Sequence, residues 1–428
     1  MNNMKKYISA LLAITVLLTF AGCSKSTQTA EFENNETQQT ETETQQTSTE
    51  TATETTVTEE PEVEVNIVAS QYSVLDVTDL FSKRDVKQTA DTSDAKKYTV
   101  ADGQTITITE EGVYVLTGTA SNAQIFVNAD ENAKVQLVLQ GLNVTNDSTP
   151  VIYVKSADKV FVTTSADSTL AVTGSFTADG DTNTDGVIFS KEDLVLNGTA
   201  TLTIKSSENG VVSKDDLKVT GGTYVITAGN HGLQGKDSIL VYDGNFTIKA
   251  GKDGLHSGND DDDKKGYIYI YDGSFSINAS SDGIEAGSVL QIDGGKLDIN
   301  AAEGLEATYV QVNGGDITIK ASDDGINASV NSYSYDVVIE INGGNITINM
   351  GQGDTDAVDS NGNLIIRGGN IDITAQFAFD FDGSVSFTGG TVYVNGQQVT
   401  SISNSMMGPG GGPGGQGGPG GQGGPGRW

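Results

Sequence analysis

The sequence has one cysteine, few cations and no helical pattern in its repetitive part. Because Cys23 is the sole cysteine of 428 residues, the chain forms no internal disulfide. Lysine and arginine number 24 against 57 aspartate and glutamate residues, so the formal net charge is −33 and the pI is near 4.1. A charge of this sign makes nucleic acid and anionic headgroups poor partners. The repeats lack apolar residues at helical spacing, which leaves strands and predicts an all-β fold.

One short phrase recurs five times between residues 253 and 360. Its members share an acidic residue, Gly or Ala, an aliphatic residue, a polar residue and a small residue. A second phrase, apolar-x-apolar-x-Gly followed by x-apolar-x-apolar, accompanies it. Marking that glycine from Gly198 to Gly390 gives intervals of 20 to 29 residues, which indicates a solenoid. The five phrases begin at Asp253, Asp282, Glu303, Asp324 and Asp356.

Alternation at period two on both sides of a glycine predicts two short strands that meet at a bend. Each repeat is then one turn of a right-handed parallel β-helix, with Ile, Leu, Val and Phe inside the tube. The long intervals are interpreted as coils with inserted loops at 258–266 and 329–336. We predict a β-helix domain over 65–404, in which the irregular part from 65 to about 104 caps the first coil because an open end exposes unpaired strand edges.

Residues 1–23 read as a targeting segment. Lys5 and Lys6 precede an apolar run, 8–20, that is too short for an ordinary membrane span and ends in small residues before Cys23. This end resembles a bacterial lipobox, which implies cleavage before Cys23 and lipid attached to it. An ordinary secretory signal is the alternative. The expected location is the outer face of the bacterial cell membrane, with the lipid as the only membrane contact.

The two ends of the mature chain are predicted to be disordered. Residues 24–64 are mostly Thr, Glu, Gln and Ser, and such a linker buries too little apolar surface to offset its ordering entropy. It reads as a tether between the lipid and the folded part. Residues 405–428 are a Gly/Pro-rich tail without a collagen period.

The acidic residues of the repeats are predicted to stack. In each phrase the aliphatic residue points inward and the first and fourth residues point outward, on coils about 4.8 Å apart. Two carboxylates at that separation repel by about 3.5 kcal/mol at an effective dielectric of about 20. The predicted first row is Asp185, Asn209, His231, Asp253, Asp282, Glu303, Asp324 and Asp356, ended by Phe377; the second is Gln234, His256, Glu285, Glu306, Asn327, Asp359 and Asp380.

Protonation relieves such repulsion, and so does a hard cation with oxygen ligands, which outside cells means Ca²⁺. A solvated acidic face is the alternative. The acidic loop 259–263 is open to the same two interpretations, a further calcium site or a solvated run of charge. The calcium ligands predicted are Asp253, Asp282, Glu285, Glu303, Glu306, Asp324, Asn327, Asp356, Asp359 and Asp380.

Four tyrosines are candidates for contact with sugar rings. Tyr267, Tyr269 and Tyr271 alternate with isoleucines and so face outward on one strand, and Tyr242 aligns with Tyr271 on the preceding coil. Exposed tyrosine faces suit the apolar faces of pyranose rings. Strand propensity on a half-covered surface explains the same pattern.

No catalytic residue is assigned. Asp215-Asp216 and His231-Gly232 resemble parts of the polygalacturonase signature. However, Asp215-Asp216 lies six residues out of phase with the row of Asp185, Asn209 and His231, and the Arg-x-Lys element of that family is absent. A lyase needs calcium and a positioned base. Arg367 and several lysines are available, and none stands out by position. A lyase and a structural adhesin or spacer therefore remain alternatives to a binding protein.

Several phrases together resemble one family, the bacterial carbohydrate-binding β-helix lipoproteins, which are similar in fold to pectate lyases. The resemblance covers about 101–396 in order and includes the two Ser-Lys-acid-Asp-Leu phrases at Ser190 and Ser213 and the phrase at Asp253 with its acidic loop. It implies binding of cellulose or a pectin-like acidic polysaccharide, bound calcium and no established catalysis. It leaves the oligomeric state open.

Overall fold

Short strands form on either side of the corner glycines and pair with the equivalent strands of the neighbouring coils. The computed structural model describes residues 65, 67–352 and 355–405. The predicted signal segment with Cys23, the linker 24–64 and residues 406–428 of the predicted tail lie outside the described residues. Within them every secondary-structure element is a strand, and the predicted parallel β-helix is confirmed.

The described residues form 34 strands, and the segment between two strands is usually a short turn. In chain order they are β1 (Lys96–Thr99), β2 (Thr105–Ile108), β3 (Gly112–Ser121), β4 (Gln124–Asn128), β5 (Lys134–Asn146), β6 (Ile152–Ser156), β7 (Lys159–Ala166), β8 (Ser168–Val172), β9 (Gly186–Ser190), β10 (Asp193–Gly198), β11 (Thr201–Ser206), β12 (Asn209–Ser213), β13 (Asp216–Val219), β14 (Thr223–Ala228), β15 (Leu233–Gly235), β16 (Ser238–Val241), β17 (Asn245–Ala250), β18 (Leu255–Ser257), β19 (Tyr267–Ile270), β20 (Ser274–Ala279), β21 (Asp282–Ile292), β22 (Lys296–Ala301), β23 (Glu303–Val312), β24 (Asp316–Ala321), β25 (Ile326–Ala328), β26 (Val338–Ile341), β27 (Asn345–Met350), β28 (Val358–Ser360), β29 (Asn363–Ile366), β30 (Asn370–Thr374), β31 (Asp380–Phe381), β32 (Val385–Phe387), β33 (Thr391–Val394) and β34 (Gln397–Val399).

Three parallel sheets make the walls of the tube. Sheet A contains β2, β4, β6, β9, β12, β15, β18, the first half of β21 and of β23, β25, β28 and β31. Sheet B contains β1, the first halves of β3 and β5, β7, β10, β13, β16, β19, the second halves of β21 and β23, β26, β29 and β32. Sheet C contains the second halves of β3 and β5, β8, β11, β14, β17, β20, β22, β24, β27, β30 and β33.

Stacked apolar side chains of similar shape fill the tube. The aliphatic residues of the repeated phrase, such as Leu255 and Ile284, have no exposed surface and pair in register. Tyr224, Phe246 and Phe275 stack from coil to coil, with centroid distances of 5.3 and 4.5 Å. The hydrophobic effect therefore acts along the whole length of the tube, because each coil covers the apolar surface of the next.

The glycine of the repeated phrase is required by close packing between coils. A Cβ at Gly304 would lie 2.3 Å from the carbonyl oxygen of Gly325 on the next coil. The corner glycine has a second requirement, since Gly295 has a φ of +91°, which side-chain-bearing residues rarely adopt. These two positions fix where sheet A begins in each coil and where sheet B ends.

The predicted N-terminal cap is wrong in position. Residues 67–88 do not close the first coil but lie along the outer face of sheet B, where Phe81 is buried against Tyr269 and Tyr242. Near one end of this strap Arg367 covers the ring of Tyr72 at 4.6 Å. Further along, the strap approaches Lys159 and Lys218, each 3.7 Å from a carboxylate oxygen of Asp85, and then leads to the first coil at β1.

The other end of the tube closes with an antiparallel hairpin of β33 and β34. Among the residues described, no helix has the length and apolar character needed to cross a bilayer.

Candidate functional site

Sheet A carries two outward-facing rows, as the repeated phrase predicts. Asp282 pairs with Glu303 in the first row, and the second row pairs residue by residue from Gln234 to Asp380. The two rows lie side by side because the aliphatic residue between them points into the core. We call ten of these residues the acidic strip: Asp253, Asp282, Glu303, Asp324 and Asp356 in the first row, and Glu285, Glu306, Asn327, Asp359 and Asp380 in the second.

The predicted first row is wrong at its upstream end. Asn209 pairs with Gly186 and not with Asp185, in the same register in which Ser213 pairs with Ser190. The reason is one extra residue between Asp185 and Ser190 compared with the next coil. Asp185 therefore stands apart from the strip.

Burial and mutual repulsion make the strip hard to ionise. Asp282 is 7% exposed. Its burial, followed by the charges of Asp253 and Glu303, raises its pKa to about 8. Burial likewise raises the pKa of Glu303 to about 7, although a hydrogen bond from Asn327 opposes this. The strip binds protons at neutral pH unless a cation replaces them.

The same environment continues along the strip. Burial, with the charge of Asp324 next in size, raises the pKa of Asp359 to about 7. Burial raises the pKa of Asp324 to about 6 and also raises that of Glu306. Five carboxyl groups on four successive coils therefore have raised pKa values, and in each case burial is the largest cause.

The donor atoms suit a hard cation. One carboxylate oxygen each from Asp282, Glu303 and Glu306 lie within 4.8 Å of one another. On the next coil Asn327 donates from Nδ2 to Glu303 at 2.9 Å, and its Oδ1 is shielded from solvent without a hydrogen bond to any described residue. Carboxylate and amide oxygens in this arrangement are the ligands that Ca²⁺ prefers.

A different environment surrounds Asp253 at the upstream end of the strip. Burial would raise the pKa of Asp253, but the close imidazoles of His231 and His256 outweigh it and hold that pKa well below its ordinary value. Burial would lower the pKa of His256, and its contacts with Asp253 and Glu285 instead raise it to about 9. Without metal, this end is therefore held by charge-assisted contacts.

A polar cavity of about 360 Å³ opens beside the second row. The two inserted loops form its roof, because Ser332 donates from Oγ to the backbone oxygen of Asp263 at 2.6 Å. The hydroxyl of Ser257, a cavity residue without exposed surface, has no hydrogen-bond partner within the described part of the chain. The cavity is lined by Gln234, His256, Ser257, Gly258, Asn259, Asp260, Asp263, Lys265, Glu285, Gly287, Asn331 and Ser332.

Ion pairs hold the acidic loop 259–263 over this cavity. Lys236 pairs with Asp261, and Lys265 pairs with Asp237 at the base of the loop. Asn259 also donates from Nδ2 to Asp237 at 2.6 Å. Part of the loop's charge is thus neutralised by lysine.

The second row continues upstream as aromatic side chains, which the sequence interpretation missed. Phe126 pairs with Tyr153, Tyr153 with Phe189, and Phe189 with Val212, which precedes Gln234 in the row. The signal was present, since apolar-aromatic-apolar phrases of the early coils align with Leu255-His256-Ser257 once the register is extended.

A cleft of about 300 Å³ lies at this aromatic end. Phe126, Pro150 and Tyr153 supply apolar surface, and Asp179 lies at its edge. Tyr153 donates its hydroxyl proton to Asp179 at 2.8 Å, and Lys155 pairs with the same carboxylate at 3.0 Å. A planar apolar ring face beside a charged pair can bind a sugar, because the ring stacks on the apolar face of the sugar and the charged groups bind its hydroxyls.

The expectation of an exposed tyrosine row on sheet B is wrong. Tyr269 has no exposed surface, because Phe81 of the strap covers it and Asp293 accepts its hydroxyl hydrogen bond at 2.8 Å. Tyr242, Tyr267 and Tyr271 are half-buried against the same strap, although Tyr242 and Tyr271 do stack as predicted, at 5.3 Å. The chain's own N-terminal residues occupy the face that was expected to meet sugar.

A family model described as carbohydrate-binding domain-containing protein matches residues 102–357, more than half of the chain. A curated protein of that description from Acetivibrio thermocellus is 33% identical over 128 residues, which are 29% of this chain and 45% of the relative, so the match spans less than half of the relative's length. A solved structure described as the polysaccharide lyase-like protein from C. thermocellum, gadolinium derivative, is 24% identical, with a TM-score of 0.40 over 70% of this chain and 94% of that one.

Proposed function

The chain belongs to the carbohydrate-binding domain-containing protein family, and from this membership we propose that it is a cell-surface lipoprotein that binds polysaccharide on sheet A. The glycan proposed is cellulose or, preferably, a pectin-like acidic polysaccharide. Calcium in the acidic strip supplies the positive charge that an acidic glycan needs. Cys23 carries the lipid, and the linker 24–64 holds sheet A away from the membrane.

The observation that carries this proposal is the crowding of buried and partly buried carboxylates directly beside a cavity. Glu285 belongs to both the acidic strip and the cavity wall. Without a cation, the ionised strip would repel the carboxylates of an acidic glycan. With calcium, the same oxygens become an anchor for them, so one feature accounts for metal and ligand together.

Aromatic contacts are proposed at two places on this side of the molecule. Tyr333 is 88% exposed and follows Ser332 in the loop that roofs the cavity. Phe126 offers a half-buried ring in the aromatic cleft upstream. These rings replace the covered tyrosines of sheet B as the sugar-stacking surface.

Binding is favoured over lyase chemistry by where the cations lie. Of the described arginines, Arg84 covers Phe161 and Arg367 covers Tyr72, both on the strap side of the molecule. Lys265 lines the cavity but is paired with Asp237. A lyase would need one of these cations free beside the metal to act as the base.

Affinity gels that contain polygalacturonate or a neutral soluble glucan, each run with calcium or with EGTA, test the proposal. The wild type should be retarded by polygalacturonate in calcium only, because chelation leaves carboxylate against carboxylate. Tyr333→Ala should weaken retardation roughly fivefold, the equivalent of about 1 kcal/mol for one stacking ring. Phe126→Ala should have a similar effect on long chains.

The matched control is Tyr393→Ala, since Tyr393 is a 40% exposed ring on sheet C, away from both cavities. Its retardation should equal that of the wild type. Equal retardation of Tyr333→Ala, Phe126→Ala and the control would contradict the proposed surface. Unsaturated product released from polygalacturonate, seen as absorbance growth in the same samples, would show a lyase instead of a binding protein.

A further inference from the structure

The chain contains two histidines, and the fold brings both to one carboxylate. His231 and His256 lie on adjacent coils, one in each row, with their rings stacked at a centroid distance of 4.4 Å. Both point Nδ1 at Oδ2 of Asp253, at 2.8 and 3.2 Å, and Glu285 Oε2 is 2.8 Å from His256 Nδ1. Two imidazole nitrogens therefore converge on the carboxylate of Asp253, and Glu285 is hydrogen-bonded to one of them.

The contact between His231 and Asp253 is as short as a hydrogen bond but is not aligned as one. His231 Nδ1 is shielded from solvent and has no hydrogen-bond partner among the described residues, despite its 2.8 Å approach to Asp253. Ligand atoms about 2.0–2.1 Å from one tetrahedral ion lie about 3.3–3.4 Å from one another, so the 3.2 Å contact of His256 already fits and the 2.8 Å contact of His231 would open by about half an ångström. Close, unaligned donor atoms are what two ligands of a shared cation look like.

The central carboxylate is held in place before any ion arrives. Asp253 is 3% exposed, and its other oxygen, Oδ1, accepts a hydrogen bond from the backbone N–H of Asp282 at 3.1 Å. The backbone N–H of His231 donates to Asn209 Oδ1 at 3.0 Å, which fixes the start of that coil. Oriented ligands of this kind raise metal affinity, because less freedom is lost on binding.

We propose that His231, His256 and Asp253, with Glu285 as a further ligand, form a site for a divalent first-row transition ion of the Zn²⁺ class. Imidazole nitrogen with carboxylate oxygen is a donor set that suits zinc, whereas the oxygen-only donors around Glu303 and Glu306 suit calcium. The upstream end of the strip and its middle thus select different metals. His256 and Glu285 also line the cavity, so the ion is reached from there.

The test uses the purified protein without a histidine tag, in saturating calcium so that the oxygen-only end stays filled. Zn²⁺ should raise the melting temperature further, and Co²⁺ should give visible absorption bands that one equivalent of Zn²⁺ removes. His231→Gln and His256→Gln should each weaken zinc binding at least about 100-fold, since even outer-shell partners are worth about 10–100-fold. Asp298→Asn, which removes an exposed carboxyl of sheet C and no residue of the acidic strip, should bind zinc like the wild type.

A measurement on the unaltered protein covers the case in which a histidine variant does not fold. With two histidines in the chain, imidazole NMR shows two sets of ring signals, and zinc should shift both at one equivalent. Two results would contradict the proposal: ring signals that zinc does not shift, or zinc binding that is equal in the histidine variants and the wild type. Either would show that the two histidines only pair with carboxylates and do not bind metal.

Discussion

Protons and calcium should compete for the acidic strip, and this competition sets how stability depends on pH. Asp282 has its pKa raised to about 8 in the folded protein, whereas an unfolded aspartate titrates near 3.9. Between these values the folded chain binds more protons than the unfolded one. The free energy of unfolding therefore falls as pH rises through this window when calcium is removed.

The size of the effect follows from one residue. For each pH unit over which the folded chain holds one more proton than the unfolded chain, the free energy of unfolding changes by about 1.4 kcal/mol. From pH 5 to pH 7 Asp282 is protonated in the folded chain and already ionised in the unfolded one, so the metal-free protein should lose about 2.7 kcal/mol. The pKa of His256, raised from 6.5 to about 9, acts in the same direction at higher pH, because the folded chain keeps this proton between those two values while the unfolded chain loses it.

Urea unfolding in EGTA at pH 5 and pH 7 measures this loss. Calcium should reverse the trend, because it binds ionised carboxylates and stabilises the native state alone, by about 2.7 kcal/mol at 100 times Kd. Asp282→Asn should flatten the pH dependence in EGTA and weaken the response to calcium. The matched control is Asp298→Asn, an exposed aspartate in the outward row of sheet C, which should keep both properties.

Two outcomes would refute the reasoning. In the first, the protein in EGTA is as stable at pH 7 as at pH 5. In the second, Asp282→Asn keeps the wild-type pH dependence in EGTA and responds to calcium like the wild type. Either result would mean that the strip is a solvated acidic face whose carboxyl groups ionise independently, the alternative that the sequence left open.

Two further changes probe the ends of the protein. Cys23→Ala should release the protein into the medium or leave it unprocessed, as fractionation and mass would show; a mature-length chain that stays in the membrane fraction would contradict the lipid anchor. Phe81→Ala removes a 5% exposed ring from the strap and should cost about 3 kcal/mol of its docking, seen as faster amide exchange at 67–88 while sheet C is unchanged. Unaltered exchange there would show that the ring contributes nothing to the strap.

The two rows of sheet A could be predicted because they depend on local rules. A glycine that leaves no room for a Cβ, followed by an inward aliphatic residue, fixes the direction of every side chain in the phrase. Register then follows from repetition, and Glu285 meets Glu306 as expected. The alignment failed at Asp185, although the repeated phrase at Ser190 and Ser213 already gives the observed register, in which Asn209 pairs with Gly186.

The strap could not be predicted, because its contacts are neither local nor periodic. Ser73 donates to Gln291 at 3.1 Å across 218 positions of sequence. Nothing in residues 67–88 repeats, so pattern analysis had no basis for placing them on sheet B. The alternation of the strand correctly predicted that Tyr269 points away from the core. It did not predict that another segment covers this side chain, so the expected exposure was wrong.

The position of the strap also explains why one sheet carries the proposed binding surface. The outward-facing side chains of sheet B, Tyr269 and Gln291 among them, contact the strap. Sheet A keeps its row for two cavities, one beside Tyr153 and one beside Glu285. Five strand spacings separate those two residues in the row, or about 24 Å. A single sugar cannot reach from one to the other, so a surface that uses both ends selects an extended chain along the axis of the tube, and this is the physical reason to propose a polysaccharide as the ligand.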